Sequence, residues 1–250
     1  MHDLHPMLQL KVDHSTRVAA EARALSSELG WPASKRNAAE TLGLVHDIGR
    51  FSQFADYGTF SDAASVDHGE RGWTVIQQTG WFRRFPVLER AAILDGVRYH
   101  NRRVIPEGLS AMSFRFVRLI RDADKLDIFR VVLDALDRDG FRELPEMFPN
   151  ITLDRSPSPA ILDEVFRERN GALQNVKSLG DFLVMQLSWM YDLNYGPTFR
   201  RVQNRDILPR LLSQLTASSA VRALGEQARQ FVSDRLDESA PSDPDKEWLM

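Results

Sequence analysis

The sequence contains no cysteine. This excludes disulfides, thiolate nucleophiles, cysteine-based zinc sites and iron–sulfur clusters, so any metal must be held by histidine, carboxylates or water. No uninterrupted apolar run approaches the roughly 18 residues that a membrane-spanning helix needs. The N-terminal stretch MHDLHPMLQLK also lacks the basic and apolar regions of a secretory signal. We therefore expect a cytoplasmic protein with no membrane partner.

The chain also lacks an excess of basic charge. Its formal net charge is -3 and its pI is about 6.1, which does not favour a generally basic surface for nucleic acid. What is present is a globular composition: 43% of the 250 residues are hydrophobic and 27% are charged. Such a chain can bury a sizeable core as one large domain or two small ones.

The spacing of apolar residues is mostly helical and predicts an all-α fold. One helix is predicted before Gly30 and a second from about Lys35 to Ile48, ended by Gly49, with a loop over 51–67. Further helices are predicted over 68–80, 87–100 and 111–136, and in 160–170, 179–193, 206–215 and 218–236. We predict a helical core over 1–140, additional helices over 141–236 in the same domain or a subdomain, and a frayed tail over 237–250.

Four histidines lie where predicted helices meet a core: His14, His46, His68 and His100. His46 is followed directly by Asp47, in the stretch LVHDIGRF. An ionised aspartate is costly to bury without a partner, so this pair is either a solvated helix end or the neighbour of a cation.

Asp124 supplies another anion. It shares one helical face with Val117, Ile120 and Ile128, and a carboxylate on such an apolar face needs a positive partner or a metal. Asp122 falls instead among basic residues, in a setting predicted to be solvated or salt-bridged. Imidazoles combined with carboxylates suit Mn, Fe, Co, Ni, Zn or Mg.

Three stretches in this order, VDHSTRV, LVHDIGRF and IRDADKLDIFR, resemble the HD-domain superfamily of metal-dependent phosphohydrolases. The resemblance covers roughly residues 8 to 135. It implies a helical bundle with a metal site formed by His14, His46, Asp47 and Asp124. It also implies that a metal-activated water attacks the phosphorus of a small phosphorylated substrate, such as a nucleotide.

Other residues receive roles from the same resemblance. Lys125 matches a position that contacts phosphate in some relatives. Lys11 and Arg17 lie one helical turn to either side of His14, and Arg50 follows the His–Asp pair, so these three are further phosphate-binding candidates, with a solvated helix surface as the alternative. Asp67 and Glu70 are candidates for supporting or acid groups outside the ligand set, with a helix N-terminal carboxylate as the alternative for both, and Asp122 is a further candidate for support.

The roles of His68 and His100 stay open between a second metal, catalysis or phosphate contact, and structure. HD-GYP phosphodiesterases, which hold two metals, place extra histidines in this region. This chain differs from the HD-GYP pattern at Arg50 and Asn101 and has no GYP-like sequence after His100. The resemblance is therefore to a small stand-alone HD protein with one metal or two.

The leading functional hypothesis is a phosphomonoesterase or phosphodiesterase. Two alternatives are an HD-type di-iron oxygenase, which cleaves C–C or C–P bonds with dioxygen, and a non-catalytic sensor that binds a nucleotide. The aromatic stretch SWMYDL near the C-terminal helices is either a homodimer face or core packing.

Overall fold

The computed structural model describes residues 4–138 and 151–238, which form an all-α fold as predicted. In the first range the α-helices are α1 (Pro6–Glu28), α2 (Ala33–Val45), α3 (Ile48–Tyr57), α4 (His68–Thr79), α5 (Val87–Tyr99) and α6 (Ala111–Asp137). In the second they are α7 (Pro159–Glu168), α8 (Leu179–Ser188), α9 (Gly196–Asn204), α10 (Ile207–Ser213) and α11 (Ser219–Asp237). Pairing of extended backbone in these ranges is limited to an isolated bridge between Thr152 and Ser178.

Two sequence-based predictions around the His–Asp pair are wrong. Helix α2 ends at Val45 rather than Ile48, and residues 51–57 of the predicted loop belong to α3, which begins at Ile48. The chain turns at Asp47, whose φ of -97° and ψ of 14° are not helical. Gly49 lies in the first turn of α3, where the helix needs a residue without a side chain. A Cβ at this position would be only 2.1 Å from the carbonyl oxygen of His68. Gly49 permits the close approach of α3 and α4 and does not end a helix.

Helix α1 packs along α2, and α2 also contacts α5. The α1–α2 approach is close at Gly43, where a Cβ would lie 2.5 Å from the Cα of Ala19. Around it the interface is built from small buried residues, namely Ala22, Ala38 and Ala39. Helix α4 in turn packs on α3 and α5. These contacts bring together the segments that carry the four histidines.

The chain divides into two compact units between Asp127 and Ile128, inside α6. In the second unit every residue of α8 is buried, and α9 was not predicted from the sequence. The predicted domain boundary near 140 and most of the predicted frayed tail lie outside the described residues, so both stay predictions. Among the helices described, none is long and apolar enough to cross a membrane.

Candidate metal centre

The turn between α2 and α3 carries the His–Asp pair. His46 caps the C-terminal end of α2, and its Nδ1 lies 2.8 Å from the carbonyl oxygen of Gly43. Asp47 is the next residue and occupies the N-cap position of α3. Both side chains are buried, with His46 0% and Asp47 3% exposed, so the pair is not a solvated helix end.

A first cluster of ligand atoms forms where α1, the α2–α3 turn and α6 meet. The Nε2 of His14 lies 3.3 Å from the Nε2 of His46 and 3.1 Å from the Oδ1 of Asp124. The Nε2 of His46 lies 3.7 Å from the same oxygen. The Oδ2 of Asp47 is 3.8 Å from both imidazole nitrogens. All four predicted metal ligands are therefore brought together.

A second cluster of ligand atoms lies near Oδ1, the other carboxylate oxygen of Asp47. The Nε2 atoms of His68 and His100 are 3.0 Å apart. They lie 3.3 Å and 3.6 Å, respectively, from the Oδ1 of Asp47. The rings of His46 and His100 also meet edge to face, with centroids 5.1 Å apart, so the two clusters adjoin. One carboxylate thus reaches both histidine pairs.

The donor set fits divalent cations. Each of the four imidazoles directs Nδ1 at an oxygen acceptor: Asp127 for His14, Gly43 for His46, Asp62 for His68 and Val97 for His100. A neutral ring that donates from Nδ1 carries its lone pair on Nε2. Two such lone pairs only 3.0 Å or 3.3 Å apart repel each other unless a proton or a cation lies beside them. Oriented Nε2 lone pairs with satisfied Nδ1 atoms are the usual state of metal-binding histidines.

The two histidine pairs share one layout. His14 and His46 are 32 residues apart, and so are His68 and His100. Helices α2 and α5 each have 13 residues, follow a proline N-cap and end at a histidine C-cap whose Nδ1 faces a carbonyl three residues earlier. Asn101 takes the place after His100 that Asp47 takes after His46. The second histidine pair therefore has no carboxylate directly after its C-terminal histidine. Instead, both of its rings lie near the Oδ1 of Asp47.

Residues 12–138, about half of the chain, match the family model of the HD domain. The chain belongs to the HD-domain family. This confirms the resemblance to the HD-domain superfamily of metal-dependent phosphohydrolases. Comparison with curated proteins and with solved structures finds no match.

The HD-domain match spans all six residues of the two clusters. Most HD domains are metal-dependent hydrolases that bind divalent cations. In this HD domain the ligand atoms of His14, His46 and Asp124 all lie within 4.8 Å of one another, and so do those of His46, Asp47 and His100. The histidine and aspartate clusters could therefore hold a metal, and the assignment of individual ligands stays a prediction.

Sequence reasoning missed two carboxylates of this HD domain. Asp127 lies 2.7 Å from the Nδ1 of His14, and Asp62 lies 2.6 Å from the Nδ1 of His68. The sequence did contain a signal for Asp127, because this residue is about one helical turn after Asp124 on α6 and so lies on nearly the same face. The sequence contains no such signal for Asp62, because this residue begins a 3-10 helix of only three residues between α3 and α4, which is too short for a periodic pattern.

Several candidate phosphate-binding residues of the HD domain are held by carboxylates. The Nζ of Lys11 is 2.7 Å from the Oδ2 of Asp47. Arg17 makes two hydrogen bonds to Asp127, of 2.7 Å and 3.0 Å. Arg50 donates to Asp62 at 2.7 Å, and its Nε, 3.7 Å from the Oδ1 of Asp47, is buried with no hydrogen-bond partner. Lys125 is partly exposed on α6, next to Asp124.

The three residues predicted to support the site lie in different settings. Asp67 caps the N-terminus of α4, the helix that begins with His68, by accepting from the backbone of Glu70 at 3.0 Å. The carboxylate of Glu70 pairs with Arg98 and Arg102, each at 3.0 Å. Of the two settings predicted for Asp122, the solvated one is wrong, since this residue is 0% exposed, and the salt-bridged one stays a prediction. The neighbouring residues Arg121 and Ala123 are buried as well, at 4% and 0% exposure, so this part of α6 is covered on the side of Asp122 too.

The charges of the cation-free centre follow from burial and from its close ion pairs. Burial alone would lower the pKa of His14, but Asp124 and Asp127 outweigh it and raise this pKa to about 9. Burial, together with the nearby His68 and His46, lowers the pKa of His100 to about 4 despite Asp47. Burial would raise the pKa values of Asp47 and Asp124, yet neighbouring cationic groups hold both well below the usual range. Both carboxylates are ionised at neutral pH, and His14 carries a proton.

We predict that cation binding at the first cluster releases this proton. Because His14 must be neutral to act as a ligand, apparent affinity should rise about tenfold per pH unit as pH rises toward 9, and level off above it. Isothermal titration calorimetry at pH 7 in buffers of different ionisation enthalpy should detect about one proton released per cation bound there. In Asp127→Asn the levelling should occur at lower pH, because a carboxylate that raises the pKa of His14 is lost. Affinity independent of pH between 7 and 9 would contradict the prediction.

Proposed function

We propose that the protein is a phosphohydrolase that acts on a nucleotide or another small phosphate ester, and that Asp47 and the two histidine pairs would together hold two divalent cations. The observation that carries the proposal is the position of this buried carboxylate between two histidine pairs. A divalent cation in such a position supplies a water nucleophile at neutral pH by lowering the pKa of a coordinated water, and a pair of cations clamps both oxygens of a displacement at phosphorus.

The residues of the chain divide the remaining work. The first cluster offers four donors, from His14, His46, Asp124 and Asp47, which suits firm cation binding. The second offers three, from His68, His100 and Asp47, and so leaves more coordination positions for water and a phosphate oxygen. The Nδ1 partners hold all four rings in place, so little reorganisation is needed when substrate binds.

Among the residues that the structure describes, Lys11 is the cation best placed to bind substrate phosphate. The ammonium of Lys11 forms an ion pair with the carboxylate of Asp47. The Lys11 side chain is 22% exposed, whereas that of Asp47 is 4% exposed. It therefore reaches from the centre toward solvent. Because its carboxylate partner becomes a cation ligand in the loaded enzyme, the ammonium can turn to a phosphate oxygen instead.

We predict that Lys11→Met raises KM by about tenfold or more, the equivalent of one charge-assisted hydrogen bond. The number of bound cations should not fall, because Lys11 is not a ligand. Steady-state kinetics and metal analysis of the same preparation measure both quantities. Lys177→Met, which removes an exposed lysine of the second unit, is the matched control and should change neither. An unchanged KM in Lys11→Met would contradict this role.

The function is tested by removing metals with a chelator and reloading the protein with Mn²⁺, Co²⁺, Ni²⁺ or Fe²⁺. Hydrolysis is then measured by chromatography of the products, together with phosphate release, on a panel of nucleoside mono-, di- and triphosphates, cyclic nucleotides and generic phosphate esters. We expect turnover that depends on the added cation and about two cations per chain. No hydrolysis of any substrate with any cation would contradict the proposal.

A di-iron oxygenase is the second candidate, because four histidines and a shared carboxylate also suit two irons. The two candidates differ in their need for dioxygen. Phosphate release that continues under anaerobic conditions supports the phosphohydrolase. Dioxygen consumption by the iron-loaded protein, with an optical spectrum that changes on exposure to dioxygen, supports the oxygenase. Tight nucleotide binding without turnover under every condition would instead indicate a sensor.

A further inference from the structure

Each cluster contains one histidine whose Nδ1 faces a carboxylate, and the two clusters differ in where that carboxylate lies in the fold. In the first, Asp127 holds His14 from within helix α6, and Arg17 of helix α1 fixes Asp127 with two hydrogen bonds. In the second, Asp62 holds His68 from the segment 58–67 that joins α3 to α4, which we call the connector. The first anchor thus belongs to a regular helix, and the second belongs to a short irregular segment.

The connector is tied down mainly through Asp62 and Gln53. The Asp62 carboxylate accepts from Arg50 at 2.7 Å, from Gln53 at 3.0 Å and from Asn101 at 3.3 Å, besides His68 at 2.6 Å. Gln53 of α3 is 0% exposed and also donates to the hydroxyl of Ser65 and the carbonyl of Val66, both at 2.9 Å. Arg50 donates in addition to the carbonyl of Phe60. These contacts hold the connector against α3 at both of its ends.

The Nδ1 contact determines where the other nitrogen of the His68 ring points. His68 is the first residue of α4, so no preceding turn of that helix restrains its side chain. His46 and His100, in contrast, end their helices and donate from Nδ1 to a carbonyl within the same helix. His68 therefore depends on a residue outside its own helix for its tautomer and orientation.

We propose that Asp62 is the positioning residue of the second cluster. By accepting the Nδ1 hydrogen of His68, it keeps the Nε2 of that ring directed at the Oδ1 of Asp47, and it makes the connector a part of the metal centre. A cation at the second cluster and an ordered connector consequently stabilise each other, whereas a cation at the first cluster binds without the connector. The inference rests on the two-cation centre proposed above.

The test is the isosteric change Asp62→Asn in the full-length protein. Because the side chain of Asp62 is 33% exposed, the substitution should not prevent folding. Circular dichroism checks that the variant is folded. Co²⁺ titration followed by absorption spectroscopy counts the bound ions. We expect the wild-type protein to bind two ions, and Asp62→Asn to bind the ion of the second cluster about 10- to 100-fold more weakly, the range typical for loss of an outer ligand partner. The ion of the first cluster should bind as in the wild type.

Asp127→Asn is the matched variant, because it removes the charge of the corresponding anchor of His14. Compared at a pH where His14 is neutral in both proteins, it should weaken binding of the ion at the first cluster and leave His68 unaffected. A second readout is the tautomer of His68, observed by nitrogen-15 NMR of the imidazole in the cation-free protein. The wild-type ring should be protonated at Nδ1, and Asp62→Asn should shift the tautomer populations of this ring alone.

The outcomes separate this inference from the proposed function. If the wild-type protein binds two ions and Asp62→Asn binds both with unchanged affinity, Asp62 is not a positioning residue. If the wild-type protein binds only one ion, the two-cation centre fails, and the His68 tautomer alone then decides whether Asp62 orients the ring. Should Asp62→Asn fail to fold, Gln53→Met, which removes one contact of Asp62 and two of the connector, should weaken the same ion.

Discussion

Replacing Asp47 with alanine is expected to remove both cations and all hydrolytic activity. The two oxygens of this residue lie 3.3–3.8 Å from the four imidazole Nε2 atoms, so a single truncation takes one ligand from each cluster. It also removes the carboxylate that separates the positive charges of two adjacent cations. The loss of affinity at each cluster should exceed the roughly 10- to 100-fold that follows loss of an outer partner.

Metal analysis and phosphate-release kinetics on the same preparation measure this effect. Asp13→Ala is the matched control, since Asp13 is an exposed aspartate of α1 whose hydrogen-bond partner is Gln9, at 2.8 Å. It should retain both cations and full activity. Asp47→Asn keeps the shape of the side chain but removes its charge, and is expected to fall between alanine and the wild type. Two tightly bound cations in Asp47→Ala would refute the shared carboxylate.

Gly49→Ala is expected to have the largest effect on stability among the substitutions considered. The added Cβ would lie 2.1 Å from the carbonyl oxygen of His68 and 2.7 Å from the backbone nitrogen of Gly72. Both are backbone atoms of α4, so no side-chain rotation relieves the clash and α3 must move away from α4. We expect a loss of about 3 kcal/mol or more in the free energy of unfolding, at the upper end of the cost of overpacking. The melting temperature should then fall by roughly 6–12 °C.

Gly225→Ala on α11 provides the matched control. There the Cβ meets the Cδ1 of Leu212 at 2.9 Å, which is the end of a flexible side chain. Alanine also favours a helix interior by about 1 kcal/mol over glycine, so the net change should stay within about 1 kcal/mol. Thermal unfolding of the three proteins measures the difference. Because His68 carries the clashing carbonyl, Gly49→Ala should also weaken cation binding at the second cluster. Equal stability of Gly49→Ala and Gly225→Ala would contradict this explanation.

The sequence alone determined the fold class and marked Asp47 and Asp124 as carboxylates in need of a partner, while the resemblance to HD domains predicted the four residues of the first cluster. Apolar residues at helical spacing record which side of each helix is buried, and this information is local. The stretch LVHDIGRF places a histidine and an aspartate together after an apolar run, and Asp124 stands alone on an apolar face. A charged group in such a place requires a partner wherever the helix packs, so its meaning could be inferred without the partner.

Only the tertiary structure decided which cation position each residue serves. That Asp47 faces two histidine pairs depends on close helix contacts at Gly43 and Gly49, which no local pattern encodes. The burial of Asp122 and the anchoring of His68 by Asp62 likewise depend on elements distant in sequence. Periodicity reports on one helix at a time, whereas a shared ligand is a property of how several helices approach one another in a close-packed interior.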